Sequence, residues 1–133
     1  MDKKIDIKTV SGSALAYLGD SVIELCVREY LVNLGISSSA HLNQKALKYV
    51  KASSQAEAMK NILPLLDEEE AAVFRRGRNI GHSQTPKSAS VSEYRSATGM
   101  EALFGWLRLK NKNERIDELF LAAYSHIINE DQN

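Results

Sequence analysis

Apolar positions along this chain recur at three and four residues, the spacing of helices with one buried side, and nowhere alternate in the manner of strands. The first such stretch, 13–30, reads SALAYLGDSVIELCVREY. Leu15, Leu18, Val22, Leu25 and Cys26 form its stripe and Ile23 and Val27 widen it, which predicts a buried helix. A second region, about 40–63, has Leu42, Ala46, Leu47, Tyr49 and Val50 on one face, then Ala52, Ala56, Ala58, Met59 and Ile62 on another. The phase shift falls where Ser53 and Ser54 compete for backbone hydrogen bonds, so two helices are expected there. The run 67–79, DEEEAAVFRRGRN, sets acids in its first turn and arginines in its last, as the helix dipole favours, and Gly77 and Gly81 read as its end. A helix from about 91 to 109 carries Tyr94, Ala97, Met100, Leu103, Phe104 and Leu107 inward. A last one, from about 113 to 128, carries Ile116, Leu119, Phe120, Ala123, Tyr124 and Ile127, and the polar residues after it read as a frayed tail. The class is all-α.

Terminators support these bounds. Ser11 or Ser13 can cap the first helix, Gly35 can stop it, Ser37 to Ser39 offer caps for the next, Pro64 ends that region, and Asp67 caps the third run. Between them, 79–92 (NIGHSQTPKSASVS) is the one long loop, poor in large apolar residues. A loop of that length inside a compact domain is commonly functional, and this one stands between two groups of arginines.

Two positions break the pattern. Asp20 sits in the apolar stripe beside Gly19, and Glu101 repeats the arrangement between Gly99 and Gly105. A carboxylate in an apolar helix costs several kcal/mol unless something satisfies it, and each glycine gives up about 1 kcal/mol of helix propensity. Unfavourable choices set side by side suggest a site, with a core ion pair as the plainer alternative.

With 133 residues the chain has the size of one domain, 1–133, and its 44% hydrophobic and 26% charged content are those of a globular protein. No apolar run after the first lysines resembles a secretory signal and no window is long enough to span a bilayer, so a cytoplasmic protein is expected. Cys26, the single cysteine, lies on an apolar face and reads as a packed thiol. The formal charge is zero, with 17 bases against 17 acids, yet between 75 and 112 eight bases face only Glu93 and Glu101. A balanced total therefore conceals a surface suited to phosphates. Two carboxylates on separate helices beside such a surface suit Mg²⁺, which takes one or two carboxylates and completes its shell with water and phosphate oxygens. Phosphodiester hydrolysis is the natural reaction. No phosphate-binding glycine loop, HExxH or GxSxG motif is present, and Trp106, the one tryptophan, reads as core rather than as a sugar platform.

The run LAYLGDSVIEL, 15–25, resembles the LGD segment of the ribonuclease III catalytic domain, and TGMEALFGWLRL, 98–109, resembles its second acidic motif. With RRGRN at 75–79 and the run that begins at Tyr94, the chain is most similar to the Mini-ribonuclease III family, a stand-alone catalytic domain without a double-stranded-RNA-binding domain. The resemblance implies a helical, homodimeric, Mg²⁺-dependent endoribonuclease acting on double-stranded RNA, with Asp20 and Glu101 as metal-binding catalytic carboxylates. It further implies maturation of the ends of the large-subunit (23S) ribosomal RNA precursor. Longer ribonuclease III enzymes carry two more acids, at the positions held here by Ala16 and Thr98. Waters or the Thr98 hydroxyl would then complete the metal's shell, and Glu24, one turn after Asp20 on the same face, is a candidate support for the site, with a surface or interface salt bridge the favoured reading. For the RNA, Arg75, Arg76, Arg78, Asn79, His82, Lys87 and Arg95 are the candidate contacts, with Ser83 and Thr85 as further hydrogen-bonding groups. The competing reading is a non-catalytic RNA-binding module on the same fold.

Overall fold

The computed structural model describes residues 5–80 and 90–132. Seven α-helices follow a short 3₁₀ turn: α1 (Gly12–Asn33), α2 (Ser39–Val50), α3 (Ala52–Ile62), α4 (Glu68–Arg78), α5 (Val91–Leu109), α6 (Asn113–Ala123) and α7 (Ser125–Gln132), with no strand among the described residues. No helix in these residues is long and apolar enough to cross a membrane.

Local chemistry fixes most of the boundaries. The Ser11 hydroxyl accepts from the Ala14 N–H at 3.0 Å to open α1, and Gly35, at φ +89°, turns the chain after it. That left-handed backbone suits a residue without a Cβ. Ser38 caps α2, and extended Lys51 separates α2 from α3, close to the expected shift of phase. Pro64 lies in a 3₁₀ turn between α3 and α4. Both α4 and α5 open with reciprocal capping boxes, Asp67 with Glu70 and Ser90 with Glu93.

Helix α5 is the axis of the fold. It is buried from Ala97 to Gly99 and again at Met100 and from Ala102 to Leu107, with α1, α3 and α4 packed around it. Ile23, Val27 and Leu31 of α1, Met59 and Ile62 of α3, and Met100, Leu103 and Leu107 of α5 close the core. Trp106 is buried among them, and Cys26 packs against the core with its thiol pushed up to about 12, chiefly by burial.

Several expectations change. Gly77 does not end its helix: α4 continues to Arg78, and Gly77 is buried against α5, while Gly81 lies outside the described residues. The final helix is two helices, broken at Tyr124, whose buried hydroxyl donates to the Tyr49 carbonyl at 3.0 Å. The tail is not frayed through Asp131. Its carboxylate accepts from the Tyr49 hydroxyl at 2.6 Å and pairs with Lys45 at 3.1 Å, contacts that hold it below the usual carboxylate range against the opposing effect of burial. Leu25 and Leu47 face outward, 58% and 63% exposed, because no described element covers that side of α1 and α2.

Candidate active site

The site begins with two glycines that let helices touch backbone to backbone. A Cβ on Gly19 of α1 would overlap the carbonyl oxygen of Glu101 and come within 2.9 Å of the Gly105 nitrogen. A Cβ on Gly105 of α5 would overlap the Leu15 carbonyl oxygen. Side chains of any size would hold α1 and α5 apart, so the lost helix propensity is the cost of a close crossing. The crossing sets Asp20, next after Gly19, against the Glu101 side chain.

The two carboxyls differ in environment. Asp20 is exposed rather than buried as its apolar neighbours suggested; Glu101 is half-buried. Burial, the charge of Asp20 and a hydrogen bond with Asp20 push the Glu101 carboxyl up to about 8. Among the described residues neither acid forms an ion pair with lysine, arginine or histidine. A core ion pair is therefore not what holds them there.

Neighbouring groups complete the picture. Ala16 is buried, and Thr98 is buried with its hydroxyl donating to the Tyr94 carbonyl at 2.9 Å. No group of three or more acids, histidines or cysteines that could hold a metal occurs among the described residues; Asp20 and Glu101 stand there as a pair. Glu24 pairs with Arg28 at 3.5 Å on the surface of α1, the salt bridge the sequence favours for it.

The arginine-rich end of α4 separates into distinct roles. Arg75 is exposed beside Asp67, Glu68 and Ala71. Arg76 donates to the Val10 carbonyl at 2.7 Å and ties the start of the chain to α4, a structural use that the sequence pattern does not reveal. The Arg78 guanidinium lies 5.5 Å from the centre of the Phe74 ring, and its Nε donates to Asn79 Oδ1 at 3.3 Å. Arg95 is exposed near the start of α5. His82, Ser83, Thr85 and Lys87 lie outside the described residues.

The family model of the ribonuclease III domain matches residues 13–112, a span that contains both glycines, both carboxyls and the α4 arginines. The chain belongs to the ribonuclease III domain family. Within that family it is 43% identical over 116 residues to the Mini-ribonuclease 3 of Enterococcus faecalis, covering 86% of this chain and 88% of that one. It is 43% identical over 119 residues to the Mini-ribonuclease 3 of Symbiobacterium thermophilum, covering 90% and 92%. The crystal structure of protein FN1578 from Fusobacterium nucleatum superposes with a TM-score of 0.85 at 32% identity, covering 95% of this chain and 97% of that one. As a ribonuclease III domain of the Mini-ribonuclease 3 kind, the protein is an endoribonuclease, a hydrolase.

Proposed function

We propose that the protein is a homodimeric, Mg²⁺-dependent endoribonuclease that cuts double-stranded RNA, acts in the cytoplasm, and matures the ends of the large-subunit (23S) ribosomal RNA precursor. The observation that carries the reading is the pairing of Asp20 with Glu101 across the α1–α5 crossing, without a cationic side chain between them among the described residues. Two hard oxygen donors, once both are ionised, fit a small divalent cation. With only two protein ligands, water and substrate phosphate would fill the rest of an octahedron.

Asp20 and Glu101 would hold the ion. When bound, Mg²⁺ polarises the scissile phosphoryl group and lowers the pKa of a coordinated water. Glu101 must give up its proton to serve as a ligand, and Asp20, being exposed, is accessible to solvent and substrate. Arg75, Arg78, Asn79 and Arg95 would bind backbone phosphates and hydroxyls, the groups a duplex presents irrespective of sequence. Asn79 is positioned by its hydrogen bond with Arg78. Lys87 and His82, in the segment that joins α4 to α5, would add to that surface, while Arg76 serves first to hold Val10.

The dimer reading draws on the uncovered side of α1. Tyr17, Leu25 and Val32 lie on one face of that helix, with 86%, 58% and 58% of their surface exposed, and Leu47 of α2 stands alongside. A two-fold pairing would cover them and set two sites on opposite strands of one duplex. Sedimentation tests this part: a dimer at micromolar concentration is expected, and a monomer there rejects it. Cleavage of a defined RNA duplex with and without Mg²⁺ tests the activity.

A further inference from the structure

The end of α4 reaches the catalytic helix through a second close crossing. A Cβ on Gly99 would lie 2.7 Å from Cδ1 and Cε1 of Phe74 and 2.8 Å from its carbonyl oxygen. A Cβ on Gly77 would lie 2.6 Å from that of Ala102 and 2.9 Å from the Gly99 Cα. The Phe74 ring therefore rests on the backbone of α5 at Gly99, on the face turned toward α4, about 200° around the helix from Glu101. The same ring carries the Arg78 guanidinium, 5.5 Å from its centre, and the Arg78 Nε bonds to Asn79. Arg78 has no carboxylate partner among the described residues.

We propose that Phe74 is a positioning residue: seated on Gly99, it holds the Arg78 guanidinium in place, so that the arginine meets a duplex phosphate already ordered. This rests on the reading of Arg78 as a phosphate contact. An arginine on a flexible stem loses rotamer freedom when it grips a phosphate. One held over an aromatic face has already given up much of that freedom. The ring's contribution belongs to substrate binding and leaves the bond-breaking step alone.

The test is binding of a defined RNA duplex in metal-free buffer over a range of salt concentrations, joined to steady-state cleavage with Mg²⁺. Wild type, Arg78→Gln, Phe74→Leu, Phe74→Tyr and the Arg78→Gln/Phe74→Leu double variant are compared below their melting temperatures. Loss of one phosphate contact lowers the slope of log affinity against log salt by about one. Phe74→Leu is expected to lose a large part of that unit, to raise KM about two- to five-fold, the range of an exposed cation–π contact, and to leave kcat within about two-fold. Phe74→Tyr keeps the ring face and restores the wild-type slope, and the double variant is no worse than Arg78→Gln alone. Phe74→Met supplies the same comparison should the leucine variant fail to fold. If Arg78→Gln lowers the slope and the Phe74 variants leave it unchanged, the positioning role is overturned while the phosphate contact stands. If Arg78→Gln itself leaves the slope unchanged, both fall, with duplex binding by the other bases unaffected.

Discussion

Gly19 lies against the carbonyl oxygen of Glu101, with no room for a single added carbon between them. That contact, together with the reciprocal one between Gly105 and the Leu15 carbonyl, places Asp20 beside the Glu101 carboxyl. The separation of the two acids' backbones is thus set by the close approach of α1 and α5 at these glycines.

Gly105→Ala and Gly19→Ala should each separate α1 from α5. Displacing catalytic groups by about 1 Å can cost about 100-fold in rate, and overpacking a close crossing costs about 1–3 kcal/mol. A drop in kcat of that order, with the protein still folded by circular dichroism, is the expected result.

The legible part of this site was its composition. Asp20 and Glu101 stood out because each interrupts an apolar stripe near glycines, Asp20 next to Gly19 and Glu101 between Gly99 and Gly105, and the helices that carry them lie within a residue or two of where caps and periodicity put them. Their contact was not legible, since which two helices cross at glycines depends on the packing of the whole core. Nor was the exposure of Asp20, since its neighbours in the sequence are apolar and its environment is set by which helices pack against α1. Arg76 read as one of three equivalent arginines, and only the fold reveals Val10 beneath it. The break at Tyr124 escaped notice because the inward pattern continues through it to Ile127, the hydrogen bond to Tyr49 being a long-range contact.

Glu101→Gln should stabilise the metal-free protein at neutral pH. The folded carboxyl is raised from 4.5 to about 8, so its proton is bound more tightly folded than unfolded. Its favourable contribution is complete below about pH 4.5 and is lost as pH rises through 8. At pH 8 the amide removes that penalty, a gain of about 1–3 kcal/mol after discounting for screening, and melting curves at pH 5 and pH 8 measure it. Cleavage by the same variant should be abolished.

Arg115→Ala should destabilise the fold by about 3 kcal/mol, because it strands the buried Glu70 carboxylate to which Arg115 donates twice at 2.8 Å. Arg115 chiefly holds Glu70 below its ordinary range, so that pair contributes stability at neutral pH that is lost as pH falls through the folded value. Chemical denaturation of the wild type and the variant at pH 7 and pH 3 should show the difference shrinking in acid.

Tyr49→Phe removes the hydroxyl bonded to Asp131 and should cost about 1–2 kcal/mol. Amide exchange should show faster opening of α7, with kcat within about two-fold, since neither Tyr49 nor Asp131 bonds to Asp20 or Glu101.

The central claim, that Asp20 and Glu101 together hold the metal that cuts RNA, is tested most directly by cleavage of a long RNA duplex with and without Mg²⁺ by the wild type and Asp20→Asn. Mg²⁺-dependent cutting by the wild type, abolished in Asp20→Asn while duplex binding persists, is the predicted result. Undiminished cutting by Asp20→Asn, or a wild type that binds duplex and never cuts it, would contradict the account.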